Sequence, residues 1–345
     1  MSGINRRIQG LDYIRGVACL MVIFYHYTTR FIEIYPQYSE EWKFEMSWGY
    51  IGVSAFFLLS GYLAIGGAGK KQSLNMYIKK KIIRLYPCYW IGIILTFVVT
   101  KILLADRSVS LIEAVINLTM LQSFLGVNAV DGAYWTLANE LIFYGFVALI
   151  LIKLKQNKNF YIWGIAWLII QVVAQILLNK NTLLYLVVNK LLMVQYAHMF
   201  LAGGFVFCIF NENSYDRKNR ILMKIALCVC IVMQFLIFGI EYGIFFLLEI
   251  IFLIGIIQFE KKEKNYPDIL ILTLKPLSFI ASISYPLYLI HQNIGYAIII
   301  YLYKIGIHNE MIIIIPFIVM VVVSYIIHNM FEIKIVNKEK IDGKN

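Results

Sequence analysis

Arg15 and His26 are ionisable residues within one apolar stretch, "LDYIRGVACLMVIFYHY" (11–27). Eleven positions at about 100° each make about three turns, so on a helix both side chains leave one face, about 16 Å apart along the axis. An imidazole can accept a proton near neutral pH because its unperturbed pKa is about 6.5. The pair is typical of a path from a charged rim to a titratable ring inside a membrane. Alternatively, Arg15 anchors the helix end and His26 bonds a neighbouring helix.

Glu140 and His291 are predicted to reach the same depth as His26. Glu140 lies about six residues into the span that opens with "AYWTLANELIFYGF" (133–146). His291 lies about halfway along "PLSFIASISYPLYLIHQNIGYAIII" (276–300). A carboxyl group inside a membrane must be paired or protonated, and a histidine is a natural partner. We therefore expect these three side chains to meet in one layer.

A cluster of basic residues lies within "YIKKKIIRLYPCYW" (77–90). Lys81 and Arg84 are three positions apart and share one face of a helix, and Lys79 and Lys80 add charge beside them. One interpretation is an anchor to anionic lipid headgroups. The other is a site for the phosphates of a cytosolic donor such as a coenzyme, which an arginine can hold with two hydrogen bonds.

Composition predicts the elements that position these residues. The chain has 345 residues, of which 61% are hydrophobic and 15% charged, and its mean hydropathy is +0.74. Soluble domains are less apolar, and apolar runs of about 18 residues or more predict spanning helices. We expect an all-α, polytopic integral membrane helical bundle with about ten transmembrane helices, at 14–32, 47–66, 85–104, 134–152, 160–178, 193–210, 221–239, 242–258, 277–303 and 311–331.

The basic charge predicts topology. The formal net charge of +11 could suggest a nucleic-acid partner, but 24 of the 31 Lys and Arg residues fall on one predicted side of the membrane. Cytoplasmic loops carry the excess of Lys and Arg, so both termini are predicted to be cytoplasmic and no nucleic-acid partner is expected. Residues 1–335 are predicted to form one transmembrane domain, followed by a short cytoplasmic tail at 336–345.

Two segments and the cysteines need separate interpretation. Residues 108–127 are apolar but carry Glu113 and Asn117, and a span there would invert every later loop. The charge pattern favours an interfacial or re-entrant piece on the outer side. Residues 182–191 are predicted to form an outer-surface helix that leads into the sixth span.

The five cysteines show no metal-ligand spacing, and no metal is expected.

Five sequence blocks resemble the membrane acyltransferase-3 family. They are the arginine and histidine of "LDYIRGVACLMVIFYH", "GVSAFFLLSGYL" (52–63), "KIIRLYPCYW" (81–90), "YWTLANELIFY" (134–144) and "ISYPLYLIH" (283–291). The third block has Lys81 where the family usually has arginine. Any one block is weak, but these five follow the family's order across nearly the whole chain.

The resemblance implies a membrane-bound O-acyltransferase, most often an O-acetyltransferase. Such an enzyme moves an acetyl group from cytosolic acetyl-CoA to a hydroxyl of a cell-surface or exported polysaccharide or its lipid-linked precursor. The expected partners are therefore an acyl-CoA, a glycan or lipid-linked sugar, and membrane lipids. The expected location is the bacterial inner (plasma) membrane, with multiple passes.

The resemblance also implies residue roles. His26 would be the general base, removing the proton of the acceptor hydroxyl, and Glu140 would orient it as the carboxylate does in a triad. A covalent acyl-histidine relay is the alternative to direct transfer. The donor phosphates would bind Arg84, Lys81, Lys80 and Arg15, with Arg15 also belonging to the catalytic helix. The acceptor pocket would be shaped by Trp135, Tyr288 and His291.

Two other classes of membrane protein compete with a transferase. A transporter or flippase of lipid-linked sugars would also be polytopic with polar residues at mid-depth, but the sequence has no pair of matching broken helices. A polysaccharide polymerase would be expected to have a long outer catalytic loop, and the predicted outer loops are short. The transferase interpretation is therefore favoured.

Overall fold

The fold was analysed in a computed structural model, which describes residues 8–39, 42–68, 73–155, 159–211, 215–262 and 266–332. Across these ranges the chain is helical and contains no strand. Ten helices are long and apolar enough to cross a membrane, which confirms the predicted polytopic helical architecture. They are Gln9–Ile34, Ser47–Ala68, Leu74–Leu103, Gly132–Lys153, Phe160–Leu177, Leu183–Phe210, Arg217–Phe238, Ile240–Lys262, Asp268–Lys304 and Met311–Phe331.

The regular α-helices, in chain order, are α1 (Gln9–Tyr25), α2 (Phe31–Ile34), α3 (Ile51–Ala68), α4 (Leu74–Leu103), α5 (Leu111–Asn117), α6 (Gln122–Leu125), α7 (Trp135–Phe146), α8 (Phe160–Leu177), α9 (Leu183–Leu192), α10 (Ala197–Asn211), α11 (Arg217–Phe238), α12 (Ile240–Lys262), α13 (Asp268–Lys304) and α14 (Met311–Ile327). A π-helical turn, His26–Arg30, joins α1 to α2.

Two predicted helix starts are wrong. The third span was placed from residue 85, but α4 begins at Leu74. The ninth was placed from residue 277, but α13 begins at Asp268. In α4, Lys and Arg are good helix formers and continue the helix past the apolar part that hydropathy detects. The added turns of α13 (268–276) are themselves mostly apolar and run through Pro276. The basic cluster therefore lies on α4 itself and not in a loop before it.

Residues 108–127 do not form a spanning helix, as predicted. They contain only the short helices α5 and α6. Glu113 forms a capping box with Ser110 at the start of α5. Asn117 donates to the carbonyls of Glu113 and Asn128 and accepts from the amide of Val130. Of the two polar residues that argued against a span, Glu113 thus caps the start of one short helix and Asn117 ties its end to the next loop.

The predicted separate helix before the sixth span is present. α9 ends at Leu192, and the next residue, Met193, has a left-handed φ of 41° that breaks the helix before α10 begins. The outer-surface placement of α9, the cytoplasmic placement of the termini and the single domain 1–335 stay predictions. The tail at 336–345 lies outside the described residues.

The chain forms two compact units. The first unit comprises Met1–Ala18, Val53–Leu74 and Asn139–Ala281, and the second unit comprises Cys19–Gly52, Asn75–Ala138 and Ser282–Asn345. His26 and His291 belong to the second unit, and Glu140 and Arg15 to the first. Each unit is described by itself below.

In the first unit, α3 and α10 pack with their backbones in close contact. A Cβ on Gly61 would overlap the carbonyl of Phe200, and a Cβ on Gly203 would overlap the carbonyl of Leu58. The rings of Phe57 and Phe200 stack beside this contact, with centroids 4.4 Å apart. Small residues permit such approach in membrane helices, where packing replaces the hydrophobic effect as the driving force.

In the second unit, buried tyrosines tie α13 to its neighbours. Tyr27 donates to the carbonyl of His291 (2.9 Å), and Tyr134 donates to the carbonyl of Leu289 (2.9 Å). Tyr285 of α13 donates to the carbonyl of Leu85 in α4 (2.8 Å). A helical carbonyl has a second lone pair for such a bond. These contacts fix the position of the α13 segment that carries His291.

The glycine contact predicts a stability effect. We expect Gly61→Ala and Gly203→Ala each to destabilise the protein by about 1–3 kcal/mol, because overlap with a backbone carbonyl forces the two helices apart. Gly255→Ala is the matched control, since a Cβ there would meet nothing within 4 Å. Thermal unfolding in one detergent measures all three variants. A midpoint for Gly61→Ala as high as that of Gly255→Ala would contradict the close packing of α3 on α10.

Candidate active site

His26 begins the π-helical turn that follows α1. Such turns are frequent at functional sites because they interrupt the regular ladder of backbone hydrogen bonds. The His26 Nδ1 atom lies 2.8 Å from the carbonyl oxygen of Val22. A carbonyl oxygen can only accept, so Nδ1 carries the proton in the neutral ring. The side chain is partly exposed.

His291 is held in the same way. Its side chain is 0% exposed, and its Nδ1 donates to the carbonyl of Tyr288 at 2.7 Å. The Nε2 atom of neutral His291 is consequently an acceptor. It lies 3.2 Å from Nδ1 of His26. The two rings stand nearly edge to face, with centroids 4.8 Å apart and planes at 77°.

The contact determines which atom of His26 can react. Nδ1–H of His26 points to the carbonyl of Val22 and to Nε2 of His291. The other ring nitrogen, Nε2, makes no hydrogen bond with any described residue, and in this tautomer it bears the lone pair. The arrangement therefore presents an imidazole whose free nitrogen is a proton acceptor or nucleophile. The predicted meeting of His26 with His291 is present in the second unit.

Tyr288 and Thr136 line the same region. The hydroxyl of Tyr288 donates to the carbonyl of Ala133 and lies 2.7 Å from Oγ1 of Thr136. Its ring lies 5.4 Å from the ring of His291, between centroids. Trp135 is half-buried next to Thr136 at the start of α7. The predicted aromatic residue Tyr288 thus contacts His291, whereas its part in binding an acceptor stays a prediction.

A second polar network was missed by sequence reasoning. Asn293, two residues after His291, is 2% exposed. Its side chain donates to the carbonyl of Val130 and accepts from Nε of Arg107, each at 2.9 Å. Its backbone amide donates to Asp131 at 3.0 Å. The Asp-Gly pair before α7 was a visible N-cap signal, since Asp131 also accepts from the amide of Ala133.

Glu140 and Arg15 lie in the first unit. Glu140 accepts hydrogen bonds from the hydroxyls of Ser60 and Tyr144. Arg15 lies 3.4 Å from the carboxylate of Asp12, one turn away on α1. The expected contact between Glu140 and His26 stays a prediction, as do the roles of both residues.

The basic cluster forms one end of α4. Lys80 and Arg84 are exposed, and Lys81 is half-buried with its Nζ 5.6 Å from the centre of the Tyr77 ring. Because α4 is continuous from Leu74, Lys81 and Arg84 do lie three positions apart on one helix, as expected. Binding of phosphate by this cluster stays a prediction.

Fold and site together define a multi-pass helical membrane protein with a histidine pair among its helices. The family described as "Acyltransferase domain" matches residues 8–329. The chain therefore belongs to this acyltransferase family, as its sequence blocks predicted. No solved structure matches the chain significantly.

Two curated relatives illustrate the similarity. "Putative acetyltransferase ORF330" of Acidianus two-tailed virus is 31% identical over 137 residues, which is 40% of this chain and 39% of the relative. A "Putative O-acetyltransferase" of Staphylococcus aureus strain COL is 26% identical over 185 residues, which is 47% of this chain and 28% of the relative. The chain thus spans less than half the length of the curated relatives it matches.

Asp131 predicts a dependence of stability on pH. Burial raises the pKa of Asp131 to about 6 from an ordinary value of 3.8, although the amides of Asn293 and Ala133 and the charge of Arg107 oppose the shift. The folded state therefore binds this proton more tightly than the unfolded state. The resulting stabilisation is complete below pH 3.8 and is lost as the pH rises through about 6.

We expect the unfolding midpoint of Asp131→Asn, relative to the unchanged protein, to rise between pH 4 and pH 7.5. Asp268→Asn, at an exposed carboxylate in the first turn of α13, is the control. Thermal unfolding at several pH values measures both differences. A difference for Asp131→Asn that is constant with pH would show that this carboxyl group does not titrate as its burial requires.

Proposed function

We propose that the protein is a membrane-bound O-acyltransferase. Its substrates would be cytosolic acetyl-CoA and a hydroxyl of a cell-surface or exported polysaccharide or its lipid-linked precursor. Family membership supports the reaction class, and the names of the S. aureus relatives support acetyl transfer to oxygen. The observation that carries the proposal is the free Nε2 of His26, whose tautomer is set by Val22 and His291.

The reaction needs one base and one leaving group. Nε2 of His26 takes the proton of the acceptor hydroxyl while that oxygen attacks the thioester carbonyl carbon. The carbon–sulfur bond then breaks, the acetyl group stays on the acceptor oxygen as an ester, and the coenzyme leaves as a thiolate. The imidazolium returns its proton to that sulfur, so the enzyme ends as it began. This chemistry requires no metal ion.

His291 has a positioning role in this proposal. Its Nε2 accepts from Nδ1–H of His26, so it fixes the tautomer and stabilises the N–H of the imidazolium that forms. This is the part that sequence reasoning gave to Glu140, which we retain as a further candidate for orienting the base together with Arg15. Trp135 and Tyr288 are proposed to line the acceptor site beside His291.

The donor is proposed to bind at the basic end of α4. Arg84 and Lys81 share one face of that helix, and Lys80 is the next residue to Lys81. Arg15 is proposed to join them. A coenzyme A molecule carries several phosphate oxygens, which the planar guanidinium of Arg84 can hold with two hydrogen bonds. With this end in the cytoplasm, as the excess of basic residues indicates, the location would be the bacterial plasma membrane.

His26→Ala is expected to lower acetyl transfer by about 100-fold or more, the usual contribution of a general base. His291→Ala should lower it less, and His291→Gln should recover part of the loss because its amide oxygen can still accept from Nδ1–H. His308→Gln, at an exposed histidine outside the site, is the control. Ester formation is measured by mass spectrometry of surface glycans from cells that express each variant at equal levels.

If His26→Ala leaves the acetyl content of the glycans unchanged, the proposed base is wrong. Unchanged acetyl content together with lost glycan export would favour the transporter alternative. Equal losses for His291→Ala and His291→Gln would mean that His291 acts by packing and not by accepting a hydrogen bond.

Arg84→Gln is expected to raise the KM for acetyl-CoA by about tenfold, because one charge-assisted contact to phosphate is lost. The KM of Arg84→Lys should fall between those of the unchanged protein and Arg84→Gln, since lysine keeps the charge without the planar fork. Lys101→Gln at the other end of α4 is the matched control. Initial rates at varied acetyl-CoA measure the effect, and a lower kcat with an unchanged KM would contradict donor binding at Arg84.

A further inference from the structure

Arg107 is held beside the histidine pair by one edge of its guanidinium. It ends a short 3-10 turn after α4, and its Nε donates to the side chain of Asn293 at 2.9 Å. Asn293 is itself fixed by Val130 and Asp131 and lies two residues from His291. The head group is therefore anchored to the α13 segment that carries the candidate site.

The rest of this guanidinium is unused. Its two terminal amino groups make no hydrogen bond to any described residue, and no carboxylate of a described residue lies within 4 Å of it. The oxygens of Asp131, the nearby buried carboxylate, accept from the amides of Ala133 and Asn293 instead. Arg30 differs, because it forms an ion pair with Glu33 at 2.6 Å. The two terminal amino groups of Arg107 are thus donors that no carboxylate of a described residue binds.

A buried tyrosine lies next to Arg107. The centre of the Tyr296 ring lies 6.0 Å from the guanidinium carbon of Arg107. Tyr296 is 0% exposed, and the side chain of Gln292, one turn earlier on the same helix, reaches its hydroxyl. A phenol hydroxyl can accept one hydrogen bond and donate another. The Tyr296 hydroxyl can therefore still donate to a ligand oxygen held by Arg107.

Both groups lie at the segment of α13 that carries His291. Arg107 is bonded to Asn293, two residues after His291, and Tyr296 follows three residues later on the same helix. A ligand group that bound Arg107 would consequently lie beside this segment. The positive charge of Arg107 favours a ligand that carries negative charge.

We propose that Arg107 and Tyr296 bind an anionic group of the acyl acceptor, so that its reacting hydroxyl is placed at His26. The planar fork of arginine suits a carboxylate or a phosphate, each of which offers two coplanar oxygens. The anion is either the carboxylate of an acidic sugar or the phosphate of a lipid-linked sugar. This inference rests on the proposed acyl transfer for the identity of the ligand as an acceptor.

Anion binding can be measured without knowing the acceptor. The full chain is placed in nanodiscs of phosphatidylcholine, and its unfolding midpoint is followed against sodium glucuronate, glucose and sodium pyrophosphate. We expect glucuronate or pyrophosphate to raise the midpoint in a saturable way and glucose to leave it unchanged. A response to glucuronate alone identifies an acidic sugar, and one to pyrophosphate alone identifies a lipid-linked sugar phosphate. Repeating the titration with phosphatidylglycerol in the disc tests competition by lipid headgroups.

Variants assign the response to the site. Arg107→Gln should weaken the apparent affinity by about tenfold or more, the effect of losing a charge-assisted hydrogen bond. Arg107→Lys should weaken it less. Arg217→Gln, which removes the same charge from an exposed arginine at the start of α11, is the matched control. Tyr296→Phe leaves the anchor through Asn293 intact, so it tests the site even where Arg107→Gln fails to fold, and it should weaken binding severalfold.

Equal responses to glucuronate and glucose, no response to either anion, or unchanged affinities in Arg107→Gln and Tyr296→Phe would each overturn the inference. Its failure is distinguishable from that of the proposed function through His26→Ala. That variant should keep the anion response while losing acetyl transfer. Anion binding without acetyl transfer in the unchanged protein would leave the anion site standing and reject the transferase.

Discussion

A neutral imidazole has one nitrogen that carries a proton and one that carries a free lone pair. In the second unit, two backbone carbonyls determine which nitrogen of each histidine is protonated. The carbonyl of Tyr288 accepts a hydrogen bond from Nδ1–H of His291, and the carbonyl of Val22 accepts one from Nδ1–H of His26. Without the first bond, Nε2 of His291 would not be an acceptor for His26. Without the second, His26 could present its N–H to a substrate instead of its lone pair. The candidate chemistry depends on this pair of tautomers.

The tautomers in turn depend on how α13 is held. A histidine pair works only if both rings keep their places to a fraction of an ångström, and lipid provides no water to bond a polar side chain that moves. Tyr27 donates to the carbonyl of His291 itself and Tyr134 to that of Leu289, two residues earlier. Asn293 is bonded to the loop before α7. The same network fixes Arg107, so the candidate base and the candidate anion site share one support.

Sequence reasoning reached the apolar helices and the histidine pair but not their support. His26 and His291 stand out because an ionisable residue is rare in an apolar run. Arg107 and Asn293 do not: one follows the end of a helix, the other is a neutral amide, and 186 positions separate them. Only the packing of α13 brings them together. The early start of α4 was missed because charged helix formers lower hydropathy without ending a helix.

A buried histidine in the first unit shows what distinguishes a structural ring from the candidate base. His198 is 0% exposed, and both of its nitrogens are occupied: Gln171 bonds Nδ1 and Gln234 bonds Nε2, each at 2.7 Å. No lone pair is left for a substrate, so His198 links three helices and cannot serve as a base without breaking a bond. His26 is partly exposed and keeps one nitrogen without a partner among the described residues. Hydrogen-bond satisfaction, which hydropathy does not report, therefore separates two histidines that both lie in apolar segments.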